Sequence, residues 1–142
     1  MNWNDISNEK DLENFLNIYG EFHDCCLKEL KYVSGAFVNS DLSMHAINDK
    51  RDLYIIFQRQ SLENACVELK FSELISLNLC PNDELYTCEI LDASFFFEKG
   101  NIYWADSNWF KFKRNSYSGT WLCAKRVKWR ILDNSIGEKT IY

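Results

Sequence analysis

An α+β architecture, mainly antiparallel β with about seven strands and one N-terminal helix, is expected from this chain on three grounds. Leu12, Phe15, Leu16 and Tyr19 recur at spacings of three and four residues, the signature of one apolar helix face. From Glu21 onward the period changes to two, in segments separated by Ser, Asn, Asp and Gly, which is strand-and-turn patterning. With 142 residues, 46% of them hydrophobic and 15% aromatic, the chain can bury the core of one ordinary domain, so residues 1–142 are taken as a single domain.

The helix has both of its boundaries written in the sequence. Ser7 or Asn8 can cap the start, and Gly20 stands where a left-handed C-terminal stop belongs. Its apolar face needs a sheet to lie on.

If Ser34 and Gly35 form a two-residue hairpin loop, paired residues sum to 69, which sets Lys28 against Asp41, Tyr32 against Phe37, Leu27 against Leu42, Cys25 against Met44 and Asp24 against His45. A slip of one residue loses these matches of charge and apolar character. A loop at 48–51 then pairs Ala46, Met44 and Leu42 with Leu53, Ile55 and Phe57, and a loop at 60–64 pairs those three with Phe71, Leu69 and Val67. The result is a four-stranded meander with one apolar face. The segment 72–85 is open between a short helix and an irregular crossing, because periodicity does not separate them.

Farther on, a hairpin about Lys99 and Gly100 sets Phe97 opposite Ile102 and Phe95 opposite Trp104. A last long strand follows in TWLCAKRVKWRIL. Its alternation places Trp121, Cys123, Val127 and Trp129 on one side and Leu122, Ala124, Arg126, Lys128 and Arg130 on the other, apart from Lys125. Whether the sheet remains a meander or curls into a barrel-like form is not written in the pattern.

The run EFHDCC at residues 21–26 is the densest collection of reactive side chains. In an extended segment His23 and Cys25 point one way and Asp24 and Cys26 the other, and no CxxC or HxxxH supplies the second half of a zinc site. The expectation is no metal, no cofactor and six free thiols, since the N-terminus has no export signal and cytosolic cysteines stay reduced. A cytoplasmic, soluble protein without a membrane segment is expected on the same grounds.

The register above also builds a polar row of one residue from each of four strands: Asp24, His45, Tyr54 and Lys70. These side chains could carry acid–base chemistry. An ordinary ladder of cross-strand pairs on a solvated face is the preferred account, because no phosphate loop or nucleophile elbow accompanies them.

Charge is unevenly spread. Residues 1–100 hold 8 Lys and Arg against 18 Asp and Glu, whereas residues 101–142 hold 8 against 3. Neutralisation across a sheet is one consequence, and a partner surface is another; Asp41 and Glu68 on the acidic side, with Arg126, Lys128 and Arg130 on the basic side, are the candidate partner-binding residues. The stretch WFKFKRNSY and the basic last strand could also hold single-stranded nucleic acid by phosphate neutralisation and stacking. Against that reading, the chain carries a net charge of -5, and the tryptophans of the last strand are assigned to the side away from its cations.

Across most of its length, through FHDCCLKELKYVSGAFV, LYIIFQRQ, CVELKFSEL and TWLCAKRVKWR, the chain resembles a group of small uncharacterised bacterial proteins, some of which are similar to immunity proteins of contact-dependent toxin systems. The resemblance implies binding to a protein by a sheet surface and brings no catalytic residue. A small non-catalytic protein-binding module is therefore the expected function, with an enzyme built on the Asp24, His45, Tyr54 and Lys70 row as the first alternative and a nucleic-acid binder as the second.

Overall fold

The computed structural model describes residues 2–142. Helix α1 (Glu9–Tyr19) forms where the apolar period puts it. The Asn8 side chain accepts a hydrogen bond from the Asp11 N–H at 2.9 Å, while the Asp11 carboxylate accepts one from the Ser7 N–H at 3.0 Å, so two exposed donors at the helix start are satisfied. Gly20 ends the helix at φ 72°, its N–H bonded to the Leu16 carbonyl. A side chain there would meet the Arg59 guanidinium, 2.6 Å from the Cβ position.

The strands are β1 (Asn4–Ile6), β2 (Cys25–Val33), β3 (Phe37–Val38), β4 (Met44–His45), β5 (Asp52–Arg59), β6 (Cys66–Asn78), β7 (Ser94–Glu98), β8 (Asn101–Ala105) and β9 (Trp121–Ile131). Seven of them make one antiparallel sheet in the order β2-β5-β6-β9-β8-β7, with β1 lying along the part of β9 that β8 leaves free. Two three-stranded meanders are thus joined by the β6–β9 pair. The sheet stays open rather than closing into a barrel, with β2 and β7 at its edges.

Two of the expected registers are present. Leu53, Ile55 and Phe57 face Phe71, Leu69 and Val67, and Phe97 and Phe95 face Ile102 and Trp104. The segment 72–85 resolves into the extension of β6 to Asn78, followed by irregular chain.

The Ser34–Gly35 register is corrected. β2 pairs with β5, Leu27 facing Phe57 and Leu30 facing Ile55 with a bulge at Lys28 between them, so Lys28 does not face Asp41. Residues 35–50 leave the sheet and form their own small hairpin, β3 with β4, in which Phe37 faces His45 and Val38 faces Met44. The Ser34 carbonyl closes the base of this excursion by accepting from the N–H groups of Lys50 and Arg51, each at 3.1 Å. The physical reason is that cross-strand matches contribute at most about 1 kcal/mol each, whereas β5 brings Leu53, Ile55 and Phe57, all fully buried, and each is worth about 1.5–3 kcal/mol when buried.

The side assignment of β9 is corrected too. Leu122 and Ala124 share the main core with Val127 and Trp129, while Trp121 packs on the opposite face. The alternation slips by one residue between Ala124 and Val127, where the neighbour on that side changes from β8 (Ile102 facing Ala124) to β1 (Ile6 facing Val127).

On the inner face α1 covers an aromatic core. Phe15 lies 5.1 Å from Trp129 and Phe22 5.0 Å from Phe57, which is itself 5.0 Å from Trp104 (centroid distances). On the outer face a second cluster of Phe96, Ala105 and Phe110, flanked by Tyr103, Tyr117 and Trp121, is roofed by the short turns at Asn108–Lys111 and Arg114–Ser116. The other end of that face is crossed by residues 135–142. No helix among the described residues is long and apolar enough to cross a membrane.

Candidate functional site

The outer face of the sheet is where the sequence-derived polar row was expected, and the structure takes that row apart. Because β2 pairs with β5, Asp24 and His45 are not neighbours. Asp24 lies 3.5 Å from His23 before β2, and His45 lies 2.9 Å from Asp49 on the excursion, its ring stacked on Phe37 at 5.0 Å. Only Tyr54 and Lys70 remain together, facing each other across β5 and β6. Lys70 is held above the usual lysine range: partial burial works against its charge, but the Asp52 carboxylate at 3.1 Å and the Tyr54 hydroxyl outweigh it. A lysine that acts as a base is shifted the other way.

The acidic and basic halves of the chain meet on this face. Two successive rows across β5, β6 and β9 read Ile56, Glu68, Arg130 and then Tyr54, Lys70, Lys128, and a further pair across β6 and β9 joins Ser72 to Arg126. Ser72 continues past the β5 ladder, and Arg126 reaches Glu73 at 3.0 Å. Arg130 binds one oxygen of Glu68 through Nε at 2.8 Å and Nη2 at 2.7 Å. Lys128 faces Asp5 of β1, and both Lys128 and Arg130 lie over the Trp3 ring, at 5.2 and 4.5 Å. Of the candidate partner-binding residues, Arg126 is exposed, but Glu68 is only 3% exposed and faces inward to Arg130. An open charged cleft of about 480 Å³, lined by Asp5, Asp52, Lys70, Glu73, Arg126 and Lys128 among others, lies beside these rows. Its opposite charges face one another at short range, the arrangement of a self-neutralised surface.

What covers Glu68 is the C-terminal segment. The Tyr142 hydroxyl donates to the second Glu68 oxygen at 2.6 Å, and its ring lies 4.7 Å from the Lys31 ammonium and 6.4 Å from the Tyr54 ring. Burial, and then the Glu68 carboxylate, push the Tyr142 phenol well above its ordinary range. Glu29 accepts from the N–H groups of both Ile141, at 2.9 Å, and Tyr142, at 3.1 Å. Ile56 alternates onto this outer face yet is fully buried.

A run of exposed apolar side chains lies elsewhere. On the excursion, Phe37, Val38, Leu42, Met44 and Ile47 are exposed by 56, 55, 83, 65 and 60%. The sequence pattern assigned Leu42 and Met44 to a buried sheet face. The overlooked signal is the density of turn formers, with Ser34, Gly35, Asn39, Ser40, Asp41, Ser43, Asn48 and Asp49 within sixteen positions, too many for two sheet strands. Asp41 serves that turn: its carboxylate accepts from the Ser43 N–H at 3.0 Å and hydroxyl at 2.6 Å, which holds its acid below the usual range.

The extended reading of EFHDCC is corrected: Gly20–Phe22 is a short helical turn, His23 and Asp24 follow in a turn with Asp24 at φ 56°, and only Cys25 and Cys26 lie in a strand. Cys25 is buried, its thiol pushed up to about 12 chiefly by desolvation, while Cys26 is half-buried; both border a surface pocket with Cys88. In the basic aromatic stretch, Trp109 and Phe112 are exposed, but Arg114 is enclosed by Phe96, Tyr103 and Phe110 and paired with Glu98. Compared with protein-family models, with curated proteins and with solved structures, the chain has no significant match.

Proposed function

We propose that this protein is a non-catalytic protein-binding module whose contact element is the excursion of residues 35–50. The observation that carries the reading is the set of five large apolar side chains, Phe37, Val38, Leu42, Met44 and Ile47, held out in solvent on a small hairpin. A cluster of that kind marks a protein interaction surface, since covering each side chain is worth about 1.5–3 kcal/mol when complete. The short strand pair supplies rigidity, and Met44 supplies an adaptable contact. A partner with a complementary apolar patch fits this chemistry, in keeping with the protein-binding role that the sequence resemblance implies.

The excursion is outside both core clusters, so its surface can be altered without touching the fold. The test is cross-linking of the purified protein in its native host extract, followed by binary affinity measurement with the captured partner. Phe37→Asp with Met44→Asp should leave the melting temperature near that of the parent and weaken the partner at least tenfold. A captured partner that binds this variant as tightly as the parent overturns the assignment.

A further inference from the structure

We infer that the outer face of β2, β5 and β6 is a binding site for an extended, tyrosine-bearing peptide segment of another protein, and that residues 135–142 occupy it in cis. The contacts are of the kind that recognise a backbone rather than pack a core. Glu29 takes two successive N–H groups, from Ile141 and Tyr142. The Gln58 amide donates to the carbonyls of Ser135 at 2.8 Å and Gly137 at 3.2 Å, and the Lys28 ammonium donates to that of Lys139. One side chain is read specifically: the ring of Tyr142 packs beside Lys31 and Tyr54, and its hydroxyl reaches the buried Glu68.

Most of this receptor surface is fixed by groups outside the tail, the second oxygen of Glu68 excepted. Arg130 fixes Glu68, and the β2–β5–β6 ladder fixes Glu29, Gln58 and Tyr54. The tail has no strand or helix of its own, and of its apolar side chains Ile136 is 59% exposed while Ile141 and Tyr142 are partly covered. A segment held by polar contacts exchanged against water, at the full entropic cost of ordering it, is held weakly. An incoming peptide offering the same two N–H groups and phenol competes on equal terms, as in other modes of extended-peptide capture. The site is distinct from the apolar hairpin and stands or falls separately from it.

The test uses the full chain carrying Ile141→Pro and Tyr142→Ala, which removes one of the Glu29 donors and the phenol. The probe is a fluorescent, amidated peptide of residues 135–142. It should bind the folded variant at least tenfold more tightly than the parent, whose site is already filled. A probe with Tyr142→Phe should bind about tenfold more weakly, and adding Glu29→Gln to the variant should remove binding. Equal binding to parent and variant, or no binding to a folded variant, overturns the proposal, as does light scattering that shows the parent pairing with a second copy through exchanged tails. If the variant fails to fold, hydrogen exchange on the parent decides: the Ile141 and Tyr142 amides should open at least a hundredfold more often than those of Ile55 and Phe57, and opening together with them is the overturning result.

Discussion

Tyr142 and Glu68 stand 74 residues apart in the chain and meet at 2.6 Å on the outer face of the sheet. Glu68 is 3% exposed, and a carboxylate in that position survives only if its oxygens are bonded. Arg130 takes one oxygen and Tyr142 the other. An acidic β6, a basic β9 and an aromatic C-terminal segment are therefore one construction.

Substitutions at this pair should differ sharply in cost. Tyr142→Phe deletes one hydrogen bond to a charged group, worth about 1.5–3 kcal/mol in general; because the tail can lift away and let water reach Glu68, a loss near the lower figure is expected, a few degrees of melting temperature. Glu68→Lys instead sets a buried ammonium against Arg130, and breaking a buried pair costs about 3–5 kcal/mol. Thermal melts of both variants check this, and equal shifts would contradict it. Charge reversal at Glu68 thus probes folding rather than a partner surface.

Tyr19 offers a stabilising change. Its hydroxyl is buried with no hydrogen-bond partner among the described residues, and desolvation raises its phenol far above the ordinary value. The ring itself packs on Phe15 and Phe22 and lies 4.8 Å beneath the Arg59 guanidinium. Tyr19→Phe keeps that packing and removes an unsatisfied polar atom, for a gain of about 1 kcal/mol. Calorimetry should register a higher melting temperature, and a lower one would mean that the hydroxyl is bonded.

Cysteine reactivity should follow burial. The thiolate is the nucleophile, and Cys25 is both 2% exposed and raised to about 12, whereas Cys80 and Cys88 are exposed. Timed alkylation at neutral pH with peptide mapping should modify Cys80 and Cys88 first and leave Cys25 unmodified while the protein is folded. Early labelling of Cys25 would show that the edge at Ile90, whose N–H bonds the Cys25 carbonyl at 2.7 Å, opens readily.

Where apolar alternation was long and the loop short, the sequence was a faithful guide. Leu53, Ile55 and Phe57 opposite Phe71, Leu69 and Val67 follow from pattern alone, as do Phe95 and Phe97 opposite Trp104 and Ile102. The helix with its Asn8 and Gly20 ends was equally legible. The partner of β2 was not, because a tight turn at Ser34 and Gly35 fits a hairpin just as well as the mouth of an excursion. That one choice decided whether Asp24 and His45 stood side by side, so the polar row dissolved with it. The outer-face site was hidden for a different reason: three separate sections of chain supply it, Glu29 from β2, Glu68 from β6 and Tyr142 from the end, and no local period links them.

Acid should release the tail. The Glu29 carboxyl is held below the usual carboxylate range: desolvation alone would raise it, but the N–H groups of Tyr142 and Ile141 and the neighbouring Lys28 outweigh that effect. A group whose folded value is depressed contributes its stabilisation above its unfolded value, and that contribution is lost as pH falls through the folded value. The other charged groups facing the segment are Lys28, Lys31, Arg130 and Glu68, the last of which accepts the Tyr142 hydroxyl. Docking should therefore be constant from neutral pH down to about 4.5, the ordinary glutamate value, and weaken below it. Hydrogen exchange at Ile141 and Tyr142, corrected for intrinsic rates and followed from pH 7 downward, reads this directly. Glu29→Gln should give the low-pH exchange pattern already at neutral pH, and a tail whose protection is the same in that variant as in the parent would show that Glu29 does not hold it.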